Sequence, residues 1–340
     1  MSEQSGHEKT SLRLAACGRC QAKHWLPGDL PPLQTVACNK CGHPVILPTR
    51  IRQFEVREVV ASGGMGTVYR AFDTSLERMV AVKMLKREVA EDPQVMESFY
   101  REARATASLN HTNIIHIYSF DEHEGAPYLV MELANHGSLD GWIERDGFVP
   151  ELRVLDVGIM MALALESALQ RNLLHRDLKP GNILFNEYGE AKLVDFGLAR
   201  QAQDNDEYEA TIWGTPYYVA PEKIQRQGED FRSDMYSLGG TLYHALTGHV
   251  PFEAETVEEV IAGHVHTPVT PPNAVRPEIS QATSDAILTS MAKHPDERFA
   301  NYGDFRMALE GARTRLLLGG VLGGEEEQAP VKPTVPWWKR

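Results

Sequence analysis

Cysteine is scarce in this chain of 340 residues: there are four, and all of them precede residue 42. The rest of the chain therefore has no disulfide framework. Long apolar runs are also missing, since the longest late one, residues 316–324, is far shorter than the roughly 20 residues that span a bilayer. Residues 1–11 are polar and lack the apolar segment of a signal peptide, so we expect a disordered N-terminus and a soluble, cytoplasmic protein.

Positive charge is in short supply as well. The chain has 34 Lys and Arg residues against 47 Asp and Glu residues, which gives a net charge of −13. This balance disfavours nucleic-acid binding through a broad basic face. The hydrophobic fraction of 42% is that of a globular protein, and the length has room for one large domain or about two to three modest ones.

The four cysteines form two C-x-x-C pairs, Cys17 with Cys20 and Cys38 with Cys41. Two such pairs are typical of a tetrahedral thiolate site on short hairpins, and so small a module needs its metal in order to fold. We predict a structural Zn²⁺ in a module that resembles a zinc ribbon and spans residues 12–50. Rubredoxin-like iron, two disulfides and free thiols are the alternatives.

The same module contains His24 and His43. We interpret both as surface residues, because four cysteines already complete a closed structural site. The module carries several basic residues but no evident aromatic stacking platform, so nucleic acid is not the expected ligand. Its ligand stays unknown from the sequence.

Residues 175–197 hold the densest group of reactive side chains. Asp177 and Asn182 follow a predicted long helix, and Asp195 follows a short apolar run. The residues between them show the pattern of a β-hairpin, which would bring Asn182 and Asp195 close together. Two such oxygen ligands suit Mg²⁺, which completes its shell with water and phosphate. Asp177 would then be left to accept a proton from a hydroxyl.

The run H-R-D-L-K-P-G-N at residues 175–182, followed by D-F-G at 195–197, resembles the catalytic and metal-binding loops of eukaryotic-type (Hanks-type) Ser/Thr protein kinases of bacteria. The resemblance implies that Asp177 positions and deprotonates the acceptor hydroxyl, while Lys179 offsets charge on the transferred phosphate. It also implies that Asn182 and Asp195 hold Mg²⁺.

A glycine-rich turn lies upstream, where glycine would let backbone amides approach phosphate oxygens. Gly63, Gly66 and Val68 match the family pattern G-x-G-x-x-G-x-V. Ala61 replaces the first glycine, which would stiffen the loop or weaken nucleotide affinity. The resemblance implies an ATP site formed by Val60, Ala61, Ser62, Gly63, Gly64, Met65, Gly66, Val68, Ala81, Lys83, Glu132, Ala134 and Leu184.

Lys83 ends a β-branched strand at the position where the family has its phosphate-binding lysine. A carboxylate must hold this lysine, and the helix predicted over residues 95–109 would supply it. Glu102 matches the family position better than Glu97 does. In the segment that joins the two lobes, the backbone of Glu132 and Ala134 would bind adenine.

Residues 195–222 resemble an activation segment that ends in G-T-P-x-Y-x-A-P-E, the platform for a polypeptide substrate. In the family, Thr215 contacts the catalytic loop and Glu222 pairs with Arg298. Arg176, just before the catalytic acid, implies control by phosphorylation, and Thr211 is the candidate autophosphorylation site. The acidic residues at 204, 206, 207 and 209 support a competing hypothesis, a constitutively ordered loop.

The implied fold is α+β and bilobal, with the zinc ribbon at its N-terminus. The kinase domain would cover residues 54–315: an N-lobe (54–132) with a five-stranded sheet and a helix, a hinge (132–137) and a mainly helical C-lobe (138–315). Asp234 matches the acid that supports the catalytic loop from a central helix. Helices of the C-lobe are predicted near residues 138–145, 151–171, 232–247, 256–263, 280–292 and 301–315.

Residues 316–340 are predicted to form a flexible tail of the juxtamembrane kind, rich in Gly, Glu and Pro. Two tryptophans and two basic residues occupy positions 337–340. Such a pattern either marks the point where a single-pass protein enters the inner membrane from the cytoplasm, or is an aromatic end without an anchor.

Together these motifs predict a Ser/Thr protein kinase of bacterial signalling that uses ATP, Mg²⁺ and a structural Zn²⁺. Its partners would be protein substrates and, for autophosphorylation, a second copy of itself. The alternative is a pseudokinase scaffold that recruits partners through the zinc ribbon. Pseudokinases usually lose one of three residues, and Lys83, Asp177 and Asp195 are all present, so the enzyme is the preferred interpretation.

Overall fold

The computed structural model describes residues 11–64, 66–196, 200–201 and 216–322. The chain divides into two compact units. The first consists of Met1–Glu97 and His116–Leu133, and the second of Ser98–Ile115 and Ala134–Arg340. The cysteine-containing module and the strands predicted for the N-lobe therefore belong to one and the same unit.

Two small antiparallel hairpins build the cysteine-containing module. In the first hairpin Leu14 lies opposite Trp25, and alternation along its second strand buries His24 while exposing Trp25. The interpretation of His24 as a surface residue is therefore wrong. The core of the module is only a handful of side chains around the cysteines, which agrees with a need for metal. The strands are β1 (Leu12–Ala16), β2 (Lys23–Pro27), β3 (Val36–Ala37) and β4 (Pro44–Val45).

The main sheet of the first unit is antiparallel and has six strands in the order β5-β6-β7-β8-β10-β9. The five strands predicted within residues 54–132 are all present, and a sixth, β5, comes from the connection after the module and pairs with the edge of β6. Its Ile51 is 1% exposed and joins the core of the sheet. The strands are β5 (Thr49–Ile51), β6 (Phe54–Ser62), β7 (Gly66–Asp73), β8 (Arg78–Leu85), β9 (Ile117–His123) and β10 (Ala126–Met131).

Two helices, α1 (Arg87–Ala90) and α2 (Pro93–Ala107), lie between β8 and β9 in the chain. Helix α2 is the one predicted over residues 95–109, and it begins at a proline, which is favoured in the first helical turn. The division between the two units falls inside α2.

The second unit is mainly helical, as predicted. Its helices are α3 (Leu139–Asp146), α4 (Glu151–Leu169), α5 (Pro221–Ile224), α6 (Phe231–Thr247), α7 (Val257–His266), α8 (Pro272–Val275), α9 (Gln281–Ser290) and α10 (Tyr302–Leu322). Its short strands are β11 (Leu173–Leu174), β12 (Ile183–Phe185), β13 (Ala191–Leu193) and β14 (Arg200–Gln201), and single turns of 3-10 helix occupy Pro180–Asn182 and Pro295–Glu297. These strands pair β11 with β14 and β12 with β13.

Three helices meet at the centre of this unit. A Cβ atom on Gly158 of α4 would lie 2.8 Å from the side chain of Leu242 in α6 and 2.9 Å from that of Leu309 in α10. The three helices therefore pack more closely at this point than a side chain on α4 would allow. The long α4, which leads the chain towards residue 175, is anchored by this contact.

Helix α10 continues beyond residue 315, where the sequence predicted its end and a flexible tail. Leu316 packs partly buried against the core, and Arg313 Nε donates to Asp156 Oδ1 of α4 at 2.5 Å. These tertiary contacts stabilise a helix through a stretch that contains Gly319. Among the described helices, α10 included, none is both long and apolar enough to cross a membrane.

Candidate active site

An acid on α6 holds the backbone of the loop that carries Asp177. The amide of His175 donates to Asp234 Oδ2 and the amide of Arg176 donates to Oδ1, both at 2.7 Å. Arg176 has a φ of +66°, a left-handed conformation that costs a non-glycine residue free energy. The buried carboxylate thus selects a backbone conformation that the loop would not adopt alone, and the predicted role of Asp234 is confirmed.

The ring of His175 fixes the next part of the loop. Its Nε2 lies 3.0 Å from the carbonyl oxygen of Val194, an acceptor, so the ring proton belongs on Nε2. The unprotonated Nδ1 then accepts the amide of Asp177 at 3.3 Å. The ring also contacts that of Phe196, with centroids 4.7 Å apart. One buried imidazole therefore ties the Asp177 loop to both residues that flank Asp195.

The carboxylate of Asp177 is held by two side chains from its own loop. Lys179 Nζ lies 2.7 Å from Asp177 Oδ2. Asn182 Nδ2 donates to the carbonyl oxygen of Asp177 at 2.8 Å and to its Oδ2 at 3.2 Å. Because the amide nitrogen of Asn182 makes both of these bonds, its Oδ1 is the atom that could bind a cation.

The predicted hairpin is present, with β12 antiparallel to β13. Val194, which follows β13, donates to the carbonyl oxygen of Asn182 at 3.0 Å, so the chain next to Asp195 lies against Asn182. Asp195 is exposed and has a φ of +60°. Asn182 and Asp195 are thus brought to the same end of one hairpin, as the sequence predicts, with two hard oxygen donors that suit Mg²⁺.

Two further contacts connect the loop with residues that follow the predicted activation segment. Lys223 Nζ donates to the carbonyl oxygen of Arg176 at 2.8 Å. Arg176 Nε lies 3.5 Å from Glu229 Oε2, so a phosphate that bound Arg176 would compete with an acid already beside it. Of the predicted regulatory and platform residues, Thr211 and Thr215 lie outside the described part of the chain.

Glu222, the last residue of that segment, pairs with Arg298, as predicted. Burial by itself raises the pKa of Glu222, but hydrogen bonds from Arg298 and Ser233 outweigh it and hold the pKa below its ordinary value. Both side chains of the ion pair are buried. The buried ion pair therefore anchors the end of this segment inside the second unit.

In the first unit, β6 and β7 form the glycine-rich hairpin. The amide of Gly63 donates to the carbonyl oxygen of Gly66 at 2.9 Å, which closes the turn. A Cβ on Gly66 would overlap the carbonyl oxygen of Met84 in β8, so this position requires glycine. Cβ atoms on Gly63 and Gly64 would meet nothing within 4 Å, so these two leave open space of the kind a phosphate needs.

The sheet register gives the positions of the other predicted nucleotide residues in the first unit. Lys83 lies in β8 between Val68 of β7 and Leu129 of β10, and Ala81 pairs with Met131. Val60, Ala61 and Ser62 end β6, and the amide of Glu132 donates to the carbonyl oxygen of His116 at 2.8 Å.

The remaining four predicted residues are not in the described part of the first unit. Ala134 and Leu184 belong to the second unit. Glu102 lies in α2, but its side chain is not among those that the structure describes. Met65 lies outside the described residues.

The four cysteines converge on one point. Sγ atoms of Cys17 and Cys41, and of Cys20 and Cys38, are each 3.6 Å apart, and all four lie within 4.8 Å of one another. These distances exclude disulfides, and they fit the roughly 3.8 Å edge of a tetrahedron with Zn–S bonds of about 2.3 Å.

The two cysteine pairs lie in two short turns, residues 17–22 (the first knuckle) and 38–43 (the second knuckle), which repeat one backbone pattern. Cys17 and Cys38 each donate an amide to the residue five positions later, Ala22 or His43, at 2.9 Å. Burial raises the pKa of the Cys38 thiol, but the backbone amides of Lys40 and Cys41 outweigh it and lower the pKa to about 6. The backbone amide of His43 lowers the pKa of the Cys41 thiol, but burial and hydrogen bonds with the other three cysteines outweigh it and raise the pKa to about 12, so the first thiolate of the cluster forms at Cys38.

The sequence of this chain is similar to those of known proteins. Residues 54–309 match the family described as the protein kinase domain. The chain belongs to the protein kinase family. The Asp177 loop, the β12–β13 hairpin and the glycine-rich hairpin all lie within this protein kinase domain.

Three similar curated proteins are bacterial kinases. The serine/threonine-protein kinase Pkn1 of Myxococcus xanthus is 34% identical over 94% of this chain and 49% of its own length. Serine/threonine-protein kinase PknB of Mycobacterium leprae is 34% identical over 76% of this chain and 42% of its own length. The probable PknB of Corynebacterium glutamicum is 34% identical over 73% and 40%, respectively. This chain spans less than half the length of these relatives.

His43, like His24, was interpreted from the sequence as a surface residue, and the structure differs. His43 is half-buried, and its Nε2 lies 2.8 Å from the carbonyl oxygen of Val59 in β6. No sequence pattern indicates this contact, because the two residues lie in different modules and meet only in the folded unit.

Proposed function

We propose that this chain is a Ser/Thr protein kinase of bacterial signalling, which transfers the γ-phosphoryl group of ATP to Ser or Thr hydroxyls of proteins. The observation that carries the proposal is the Asp177 loop. Its backbone is held by Asp234, and its carboxylate is held by Lys179 and Asn182. An acid fixed this firmly is suited to orient a hydroxyl for in-line attack.

In the proposed reaction, the hydroxyl oxygen of the substrate attacks the γ-phosphorus, and the bond from phosphorus to the bridging oxygen of ADP breaks. Asp177 orients the hydroxyl and receives its proton. Lys179, 2.7 Å from that carboxylate, is close enough to offset negative charge on the transferred group. Most of the barrier would thus be lowered by positioning and electrostatics.

The metal residues would be Asn182, through Oδ1, and Asp195. Both donors are hard oxygens, and both come from the β12–β13 hairpin and its flanks. Bound Mg²⁺ would neutralise charge on the phosphates of ATP. The left-handed backbone conformation at Asp195 costs free energy, and the interactions of His175 with its neighbours, Val194 and Phe196, would offset that cost.

The nucleotide would be held by backbone amides of the glycine-rich hairpin and by Lys83, with Glu102 as the partner of Lys83. Because the amide of Glu132 donates to His116, Glu132 would offer its carbonyl oxygen to adenine. Other proposed contacts are Val60, Ala61, Ser62, Gly63, Gly64, Met65, Gly66, Val68, Ala81, Ala134 and Leu184.

The four cysteines would hold a structural Zn²⁺. Four thiolates close the coordination shell, so the site would stabilise its module and take no part in phosphoryl transfer. Free thiols at this spacing are typical of a reducing compartment, which supports a cytoplasmic location.

Autophosphorylation of Thr211, by a second copy of the chain, would place a phosphate near Arg176. The acid Glu229 already lies beside that arginine.

The test is transfer of label from γ-labelled ATP, with Mg²⁺, to the chain itself and to a generic Ser/Thr acceptor protein. We expect phosphoserine or phosphothreonine in the parent, and a loss of about 10²–10⁴-fold in rate for Asp177→Asn. Asp285→Asn is the matched control, because Asp285 is an exposed acid on α9. A parent that binds ATP but transfers no label would favour the scaffold, and equal rates for Asp177→Asn and the parent would remove Asp177 from the mechanism.

A further inference from the structure

The cysteine-containing module is built onto the strand that leads into the glycine-rich turn. The connection after the module forms β5, which pairs with β6, and Ile46 of the module is 1% exposed within the core of the main sheet. Leu33 packs against the same core. The metal-binding module and the nucleotide-binding sheet therefore share buried apolar surface, unlike two domains joined by a free linker.

The second knuckle contacts β6 through His43. The ring nitrogen Nε2 lies 2.8 Å from the carbonyl oxygen of Val59, and since a carbonyl only accepts, His43 is the donor. The backbone carbonyl oxygen of His43 accepts the amide of Cys38 at 2.9 Å. One residue thus joins a cysteine of the metal site to the strand.

The first knuckle contacts the same place through Gly18. A Cβ on Gly18 would lie 2.9 Å from Glu58 Oε2 and 3.2 Å from the carbonyl oxygen of Val59. Glu58 in turn binds Arg70 of β7, with 2.7 Å between Oε1 and Nη1. The second knuckle therefore contacts Val59, the first lies against both Glu58 and Val59, and Glu58 links the first knuckle to Arg70 of β7.

The contacted strand is irregular at this point. Pairing between β6 and β7 shifts register between Val56 and Glu58 and again between Val59 and Ala61. Irregular ladders of this kind interrupt the regular hydrogen bonding of a strand and bend it. The hydrogen bond from His43 supports the backbone of Val59, two residues before Ala61 and four before Gly63.

We propose that the four-cysteine site braces the phosphate-binding hairpin, with His43 and Gly18 as positioning residues. Metal in the site holds both knuckles in shape, the knuckles hold the irregular segment of β6, and that segment sets the position of the Gly63–Gly66 turn. Loss of the metal or of the His43 contact loosens the turn and weakens ATP binding. The part concerning ATP rests on the proposed function, whereas the brace itself does not.

The experiment compares the full chain with His43→Ala, His43→Gln and Gly18→Ala, each after its zinc content has been measured. His123→Ala is the matched control, because His123 lies in β9 at the opposite edge of the same sheet. Two quantities are measured on each: the Kd of a non-hydrolysable ATP analogue with Mg²⁺, and amide hydrogen exchange across β6 and β7. Exchange reports local opening of the hairpin independently of catalysis.

With zinc fully bound, we expect His43→Ala to raise the Kd of the analogue about fivefold, the effect of losing one net hydrogen bond. Exchange across β6 and β7 should become faster. Gly18→Ala should act in the same direction because its methyl group would crowd both Glu58 Oε2 and the backbone carbonyl oxygen of Val59. His43→Gln can place an amide donor near the same carbonyl and should restore both values towards the parent, and His123→Ala should change neither.

Chelation of the parent under reducing conditions provides a test that needs no substitution. Faster exchange in β6 and β7, reversed by added Zn²⁺, is the expected result. The brace is overturned if zinc-loaded His43→Ala and Gly18→Ala exchange and bind as the parent does, or if chelation leaves β6 and β7 unchanged. A chain that binds no ATP analogue in any form contradicts the proposed function instead, and the exchange data still decide on the brace.

Discussion

Glu222 and Arg298 form a bidentate ion pair in the interior of the kinase domain's helical unit. Arg298 Nη1 donates to Glu222 Oε1 at 2.7 Å, and Nη2 donates to Oε2 at 2.8 Å. The remaining donors of the guanidinium reach backbone carbonyl oxygens of Arg232, Ala292 and Lys293. One buried side chain thus joins Glu222, the last residue of the predicted activation segment, to α6 and to the loop after α9.

Arg298→Met should destabilise the chain by about 3–5 kcal/mol, since it leaves the carboxylate of Glu222 buried without its partner. Urea unfolding at neutral pH measures this change. Arg306→Met is the control, because Arg306 forms a partly exposed pair with Glu310 on α10 and should cost at most about 1 kcal/mol. Equal midpoints for the two variants would contradict a structural role for the buried pair.

His264 gives the unfolding free energy a pH dependence. Burial, and then the nearby Lys293 ammonium, lower the pKa of His264 to about 3. The unfolded chain, with a pKa of about 6.5, therefore binds a proton that the folded chain does not, and stability falls as pH decreases below 6.5. The slope from this residue approaches about 1.4 kcal/mol per pH unit.

Unfolding is measured between about pH 6.5 and 5.5, where carboxyl groups are largely ionised in the unfolded chain as well. Burial also lowers the pKa values of His111 and His244, which contribute to the slope in the same direction, so the difference between the parent and His264→Asn isolates the share of His264. His264→Asn keeps an acceptor for the hydroxyl of Tyr236 but removes the titratable ring. This variant should be less stable than the parent at pH 7, and its unfolding free energy should depend less steeply on pH. His266→Asn, an exposed neighbour on α7, should keep the parent's slope. An unchanged slope in His264→Asn would assign the pH dependence to other groups.

Gly66→Ala should weaken nucleotide binding and stability together. The added methyl group would overlap the carbonyl oxygen of Met84, so β7 must move away from β8. We expect a loss of about 1–3 kcal/mol in stability and a raised Kd for an ATP analogue, measured by thermal unfolding and calorimetry. Gly63→Ala, with open space around its Cβ, should leave thermal stability close to that of the parent.

Asp234→Asn should lower kcat without changing the affinity for ATP. The substituted amide can accept from only one of the two backbone amides, at His175 and Arg176, and its NH₂ group opposes the other. A displaced Asp177 should cost on the order of 10²-fold in kcat. Calorimetry with an ATP analogue checks the binding half of this prediction, and an equal loss in affinity would show that the substitution acts on the whole domain.

Local order along the chain was largely predictable. The motifs around Asp177 and Asp195 predicted a loop and a hairpin, and both are present because short-range turn chemistry and strand pattern decide them. The two cysteine pairs predicted a convergent site for the same reason, since each knuckle is a local turn. The pairing of Glu222 with Arg298, far apart in the chain, was predictable only through the family resemblance.

Three features depended on tertiary structure. Strand β5 forms because the edge of β6 offers unpaired backbone groups, and α10 continues past residue 315 because Leu316 and Arg313 find partners on the core and α4. His43 turns out to support the glycine-rich hairpin.

The sequence by itself determined which groups perform the proposed chemistry, because their types and spacing are local properties of the chain. Which surfaces meet was decided only by folding, since a hydrogen bond between distant residues depends on the packing of whole elements.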